Sequence, residues 1–141
     1  PINQNLLIVG LRRAIAGAGS KPRILHVEDD LDIQRVTAAI AQDFATFEFA
    51  ATLAEARARM RQQHFDLVLL DLALGETSGW HLLADIQAMT LPPPVVVFSA
   101  QEVDRQQHAQ VAAVLLKAQT TNEELLQTLQ RVLSEADPSG A

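Results

Sequence analysis

From Arg23 onward the sequence alternates short, β-rich apolar runs with amphipathic stretches, strand signal then helix signal, five times in succession, and few folds accommodate that rhythm. The short runs are Arg23–Val27 (RILHV), Thr46–Ala50 (TFEFA), 66–71 (DLVLLD), Val95–Ser99 (VVVFS) and 114–116 (VLL). The third and fourth are apolar enough to be central strands buried on both faces. Helical spacing covers 31 to about 44, 53–63, 79–89, about 102–112 and 122–134. Two of these stretches carry start signals, Thr52-Leu-Ala-Glu55 and Thr121-Asn-Glu-Glu124, in which a hydroxyl and a carboxylate satisfy opposite ends of the first turn. Leu91-Pro-Pro-Pro94 bars continuation of the third helix, because proline lacks the donor a helix interior needs. The expectation is an α/β fold, a doubly wound five-stranded parallel sheet whose right-handed crossovers place helices on both faces.

One such core suits a chain of 141 residues that is 48% apolar. Residues 21–134 are read as the domain, 135–141 as a polar tail, and 1–20 as a helix and a Gly/Ala/Ser linker. A net charge of -6 and the lack of a basic stripe argue against nucleic acid as a partner. The chain has no cysteine, so any metal must be held by oxygen or imidazole. Its longest apolar runs fall far short of the roughly 20 residues a membrane span requires. No membrane contact by this domain and a cytoplasmic location are expected.

In open parallel sheets, functional groups gather beyond the carboxyl ends of the strands. Here the first strand ends in Glu28, Asp29 and Asp30, the third in Asp71, the fourth in Ser99 and the fifth in Lys117. Crowded carboxylates raise one another's pKa, and a divalent cation relieves the conflict. Mg²⁺ suits hard oxygen ligands better than Zn²⁺ and keeps waters for a phosphate to replace. The chemistry that fits is phosphoryl transfer to a carboxylate, with Asp71 as nucleophile, metal and Lys117 neutralising charge, and Ser99 donating to the new phosphoryl group. Each residue also has a plainer explanation: Asp29, Asp30 or Asp32 as a helix cap, Ser99 as a helix start, Asp71 as a turn residue, Lys117 as a solvated cation. It is their joint placement at one edge that favours a site. His26, His64, His81 and His108 show no ligand or triad spacing and are read as structural or solvent-facing.

The segments Arg-Ile-Leu-His-Val-Glu28-Asp29-Asp30, Asp66-Leu-Val-Leu-Leu-Asp71-Leu-Ala-Leu-Gly75 with Gly79 closing the loop, and Val-Val-Phe-Ser99-Ala100 occur in order at strand ends. Together they resemble the receiver (response-regulator) family of bacterial two-component signalling, over Pro22 to Leu133. The resemblance implies the flavodoxin-like strand order 2-1-3-4-5, with Asp71 as phosphoacceptor and Lys117 as the family's lysine. It also implies a metal held by Glu28, Asp29, Asp71 and the Ala73 carbonyl. The phosphoryl donor would be a histidine kinase or phosphotransfer domain, and no activity is implied beyond accepting that group and losing it again.

Three positions depart from the pattern. Ala118 follows the lysine where the family usually has proline, and a cis bond before alanine would cost about 2.5 to 4 kcal/mol. Val114 stands at the aromatic switch position, so switching by an aromatic rotamer cannot run through it. Gly75 replaces a loop proline. These departures leave open a receiver-like docking module that works without phosphorylation. A hydrolase on a related sheet is disfavoured because Ala73, not a second aspartate, follows Asp71 at two residues. Finally, Leu7, Leu11, Ala14 and Ile15 repeat the spacing of Leu125, Leu129, Val132 and Leu133. Residues 1–15 are read as the last helix of a second receiver upstream, in a tandem protein such as a hybrid sensor histidine kinase, the alternative being an unrelated amphipathic helix that packs on this domain.

Overall fold

The structure is a computed structural model that describes residues 21–75 and 77–136. The reading of 1–20 as a helix and linker, and most of the 135–141 tail, fall outside the described residues. In chain order the elements are β1 (Arg23–Val27), α1 (Leu31–Ala41), β2 (Thr46–Ala50), α2 (Leu53–Gln62), β3 (Leu67–Leu70), β4 (Ala73–Leu74), β5 (Thr77–Ser78), α3 (Trp80–Gln87), β6 (Val95–Ser99), α4 (Arg105–His108), β7 (Ala113–Leu116), a 3-10 turn (Lys117–Gln119) and α5 (Asn122–Ala136).

Five strands form one parallel sheet in the order β2-β1-β3-β6-β7. Because β4 and β5 make a separate antiparallel hairpin, the sheet strands counted along the chain read 2-1-3-4-5, as expected. The register aligns their carboxyl ends: Val27 pairs with both Ala50 and Leu70, Leu70 with Val97, and Ser99 with Leu116. Successive side chains of a strand point to opposite faces, and the core is divided accordingly. Leu25, Val27, Val68, Leu70, Val95 and Val97 pack on one side with Leu82, Leu83 and Ile86 of α3 and Leu53 and Ala56 of α2. Ile24, Leu67, Leu69 and Val96 pack on the other with Leu125, Leu129, Val132 and Leu133 of α5. The β1, β3 and β6 strands are covered on both faces, which is why their sequences read as nearly unbroken apolar runs.

The helix starts follow the expected chemistry with one change. Thr121 and Glu124 form a reciprocal box, Glu124 N donating to Thr121 Oγ1 at 3.1 Å and Thr121 N to Glu124 Oε1 at 3.0 Å. At α2 the Thr52 hydroxyl accepts from Glu55 N at 3.1 Å, but the Glu55 carboxylate reaches the Ala51 N–H instead of that of Thr52. Asp30 is the cap of α1, accepting from Asp32 N and Ile33 N.

The largest departure lies between β6 and β7, where a helix expected over about 102–112 is reduced to Arg105–His108. That stretch has no residue that is fully buried, and only Val103 and Val111 lean on the core. A helix this short and this polar has little tertiary packing to offset the cost of nucleation. The first helix likewise stops at Ala41, three residues early, and turns there through Phe44 N and Ala45 N, both donating to Ala41 O. Asp66 and Asp71, expected inside the third strand, flank it instead.

Candidate functional site

The aligned strand ends leave Glu28, Asp71, Ser99 and Lys117 at one rim of the sheet. Glu28 N donates to Ala50 O at 2.9 Å and Asp71 N to Val27 O at 3.0 Å, so each carboxylate begins one residue past its strand with its backbone still tied to the neighbouring strand. Both are buried, Glu28 at 1% exposure and Asp71 at 4%, whereas Asp29 is exposed at the mouth. One carboxylate oxygen from each of Glu28, Asp29 and Asp71 lies within 4.8 Å of the others. Asp30, the third acidic residue of the run, is turned away into its capping role.

Lys117 enters from β7. Its Nζ is 2.7 Å from Glu28 Oε1 and donates to Asp71 Oδ2 at 3.1 Å. The first contact is a close ion pair to a carboxylate that is itself almost fully buried. The second Asp71 oxygen, Oδ1, accepts from Ala73 N at 3.1 Å. Burial raises the Glu28 pKa to about 7 and the Asp71 charge adds to it, while Lys117 acts against them. Desolvation would lower the Lys117 pKa, but its contacts with Glu28 and Asp71 prevail and raise it. Two carboxylates share the one ammonium and the third, Asp29, lies within 4.8 Å of them, so the cluster is short of positive charge. The donor set is all oxygen, close-packed and partly unsatisfied, and it fits a hard divalent ion such as Mg²⁺.

The loop carrying Asp71 is shaped by two glycines. Gly75, at the turn between β4 and β5, has φ of +62°, a value proline cannot adopt, so the departure at this position belongs to a different turn geometry. At Gly79 a Cβ would stand 2.5 Å from the Asp71 carbonyl oxygen, and its N–H donates to Leu72 O at 2.8 Å. Only glycine permits this approach. Ser99 is fully buried at the end of β6, where its Oγ accepts from Gln101 N at 3.3 Å.

The structure thus brings Glu28, Asp29, Asp71, Ser99 and Lys117 to one edge, with Ala73 beside Asp71. Two contributors were not singled out in the sequence. Phe98, whose ring centroid lies 5.9 Å from Lys117 Nζ, reads from sequence only as a strand residue. Thr120, which bonds back to Leu116 O at 2.8 Å, gives no sequence signal beyond its nearness to the lysine. Of the histidines, His26 is buried against Phe47 and Phe49, and His64, His81 and His108 are exposed. Among the described residues no helix is long and apolar enough to cross a membrane.

Comparison with known proteins points the same way. The family described as the response regulator receiver domain matches residues 24–130, most of the chain. The transcriptional regulatory protein CiaR of Streptococcus pneumoniae is 33% identical over 84 residues, 57% of this chain and 36% of that protein, so this chain spans about a third of the length of that relative. A receiver domain protein (CheY-like) of Methanospirillum hungatei is 24% identical with a TM-score of 0.74, over 83% of this chain and 97% of its own. The chemotaxis response regulator CheY4 of Vibrio cholerae is 24% identical with a TM-score of 0.71, over 80% and 99%. At that identity the two structures speak to the fold alone.

Proposed function

The chain belongs to the response regulator receiver domain family, and from that premise we propose that it accepts a phosphoryl group on Asp71 in a Mg²⁺-dependent reaction and passes the change on as a conformational signal. The observation that carries this reading is the position of Asp71: a buried carboxylate at the end of the central β3 strand, bonded to Lys117 and within 4.8 Å of two further acidic oxygens.

In the proposed reaction an Asp71 carboxylate oxygen attacks the phosphorus of a phosphohistidine on a histidine kinase or phosphotransfer domain. The P–N bond breaks, its electron pair leaves with the imidazole, and an acyl phosphate forms. Glu28, Asp29, Asp71 and the Ala73 carbonyl are the groups that would hold Mg²⁺, which supplies charge neutralisation at the transferring oxygens. Lys117, already at the Asp71 carboxylate, follows the charge onto the phosphoryl oxygens. Ser99 accepts a backbone N–H at its oxygen and can donate its own proton to the same group. Ala73 N–H, bonded to Asp71 Oδ1, keeps the carboxylate from rotating before attack.

Acetyl phosphate with Mg²⁺ tests the reading. One phosphoryl mass should add to the wild type and none to Asp71→Asn. Equal labelling of both would overturn the assignment, and no labelling of the wild type would favour the docking module.

A further inference from the structure

The proposed chemistry needs Lys117 aimed at Asp71, yet the residue after the lysine is alanine, and no peptide bond among the described residues is cis. Nothing rigid in that covalent link directs the side chain. The turn around it does. Lys117–Gln119 form a single 3-10 turn after β7, and Thr120 Oγ1 donates to the Leu116 carbonyl at 2.8 Å. This bond ties together the two residues that flank the lysine-bearing turn, while Ala118 and Gln119 project into solvent. A 3-10 turn has poorer hydrogen-bond geometry than an α-helix, so a side-chain tie across it adds constraint where the backbone supplies little.

The side chain itself has a second support. Phe98 pairs with Leu115 across the β6–β7 ladder, its half-buried ring packs against the α5-side core, and its centroid lies 5.9 Å from Lys117 Nζ. The ring face is electronegative and attracts the ammonium, and it is held in place by strand pairing and core contacts. A lysine stem is long and flexible. With the turn closed below it and a ring beside it, its Nζ ends at Glu28 and Asp71 with the side chain only 19% exposed.

We propose that Thr120 and Phe98 are positioning residues for Lys117, Thr120 by closing the turn that carries it and Phe98 by offering its ring to the ammonium. Neither touches the reacting atoms. The inference rests on the reading of Asp71 as phosphoacceptor, and its test separates the two.

Thr120→Val keeps the shape and removes the donor, Thr120→Ser keeps the donor, and Phe98→Leu keeps apolar packing without a ring. Solvent exchange of the Lys117 Nζ protons, followed by NMR, reports whether the ammonium is held at Glu28 and Asp71, with or without the Phe98 ring and whether or not Asp71 is ever phosphorylated. In Thr120→Val and in Phe98→Leu that exchange should rise to the rate of an exposed lysine, and the initial rate of Mg²⁺-dependent labelling by acetyl phosphate should fall about tenfold or more, towards the roughly hundredfold that a 1 Å misplacement can cost. Thr120→Ser should restore both. Unlabelled wild type would end the phosphoacceptor reading while leaving the exchange rate to decide the lysine's placement. Wild-type exchange in folded Thr120→Val and Phe98→Leu, or a Thr120→Ser that fails to rescue, would overturn the proposal; an effect from one residue alone would overturn the joint assignment.

Discussion

Lys117 Nζ lies 2.7 Å from Glu28 Oε1, closer than the 3.1 Å that separates it from Asp71 Oδ2. The lysine thus serves as an internal cation for the acidic cluster, and in the proposed metal site Glu28 would be shared between it and the divalent ion. Removing the ammonium leaves the cluster more negative, whereas removing a carboxylate leaves fewer ligands for an ion that gives up its waters reluctantly. Calorimetric titration with Mg²⁺ should find tighter binding by Lys117→Met. Asp29→Ala should bind more weakly by about tenfold or more, the scale seen when even an outer partner of a metal ligand is lost. Unchanged affinity in both variants would remove Asp29 from the site.

Gly79 should tolerate no side chain. A Cβ there stands 2.5 Å from the Asp71 carbonyl oxygen and 3.1 Å from the Leu72 Cα, so the loop carrying the acceptor must shift. Overpacking of this kind costs about 1 to 3 kcal/mol. Gly79→Ala should lose that much stability to urea and label more slowly with acetyl phosphate. A variant as stable and as fast as the wild type would show that the loop yields freely.

His26 makes stability pH-dependent. It is 1% exposed, and neither ring nitrogen has a hydrogen-bond partner among the described residues. Burial, aided by the Lys117 charge and partly opposed by Asp71, lowers its pKa to about 3 from 6.5. Below about pH 6.5 the unfolded chain binds a proton that the folded one refuses, so this contribution to stability is lost as pH falls from 6.5 toward 3. Glu28, with its pKa raised to about 7, works in the opposite sense over the range above its ordinary value. Comparison with His26→Leu therefore isolates the imidazole. Between pH 7.5 and 5.0 in chelator, the wild type should lose about 2 kcal/mol relative to His26→Leu, (6.5 − 5.0) × 1.36. Parallel pH profiles of the two proteins would refute it.

The segment between β6 and β7 should respond to phosphorylation. Ser99 ends β6 and Lys117 follows β7 at the same rim, and residues 100–112, which lead from Ser99 into β7, have no fully buried side chain to hold them. Such a segment opens at little cost. Hydrogen exchange with and without a phosphoryl mimic should differ over 100–112, and changes confined to α1 and α2 would contradict this. Val114, half-buried at the aromatic switch position, gives the shift no large side chain to move.

Much of this was legible in the order of residues. Strand periodicity, the Thr121 box and the carboxylates at strand ends depend on neighbours a few positions apart, and local rules capture them. The sequence determined the α/β alternation and the candidate set Glu28, Asp29, Asp71, Ser99 and Lys117, because apolar runs must be buried and each run ends in a polar group at a countable position. It did not determine where the helices stop. The 102–112 helix failed because helicity depends on packing that the polar sequence could not secure, and α1 ended early at a turn. Nor did it tell which of Asp29, Asp30 and Asp32 would cap a helix, that role falling to Asp30 only once α1 had a fixed start. Most of all, the tertiary structure alone decided how Lys117 is held. Phe98, Glu28 and Asp71 meet it from three different segments, and contacts between residues as distant as 28 and 117 exist only after the sheet has brought its strand ends together.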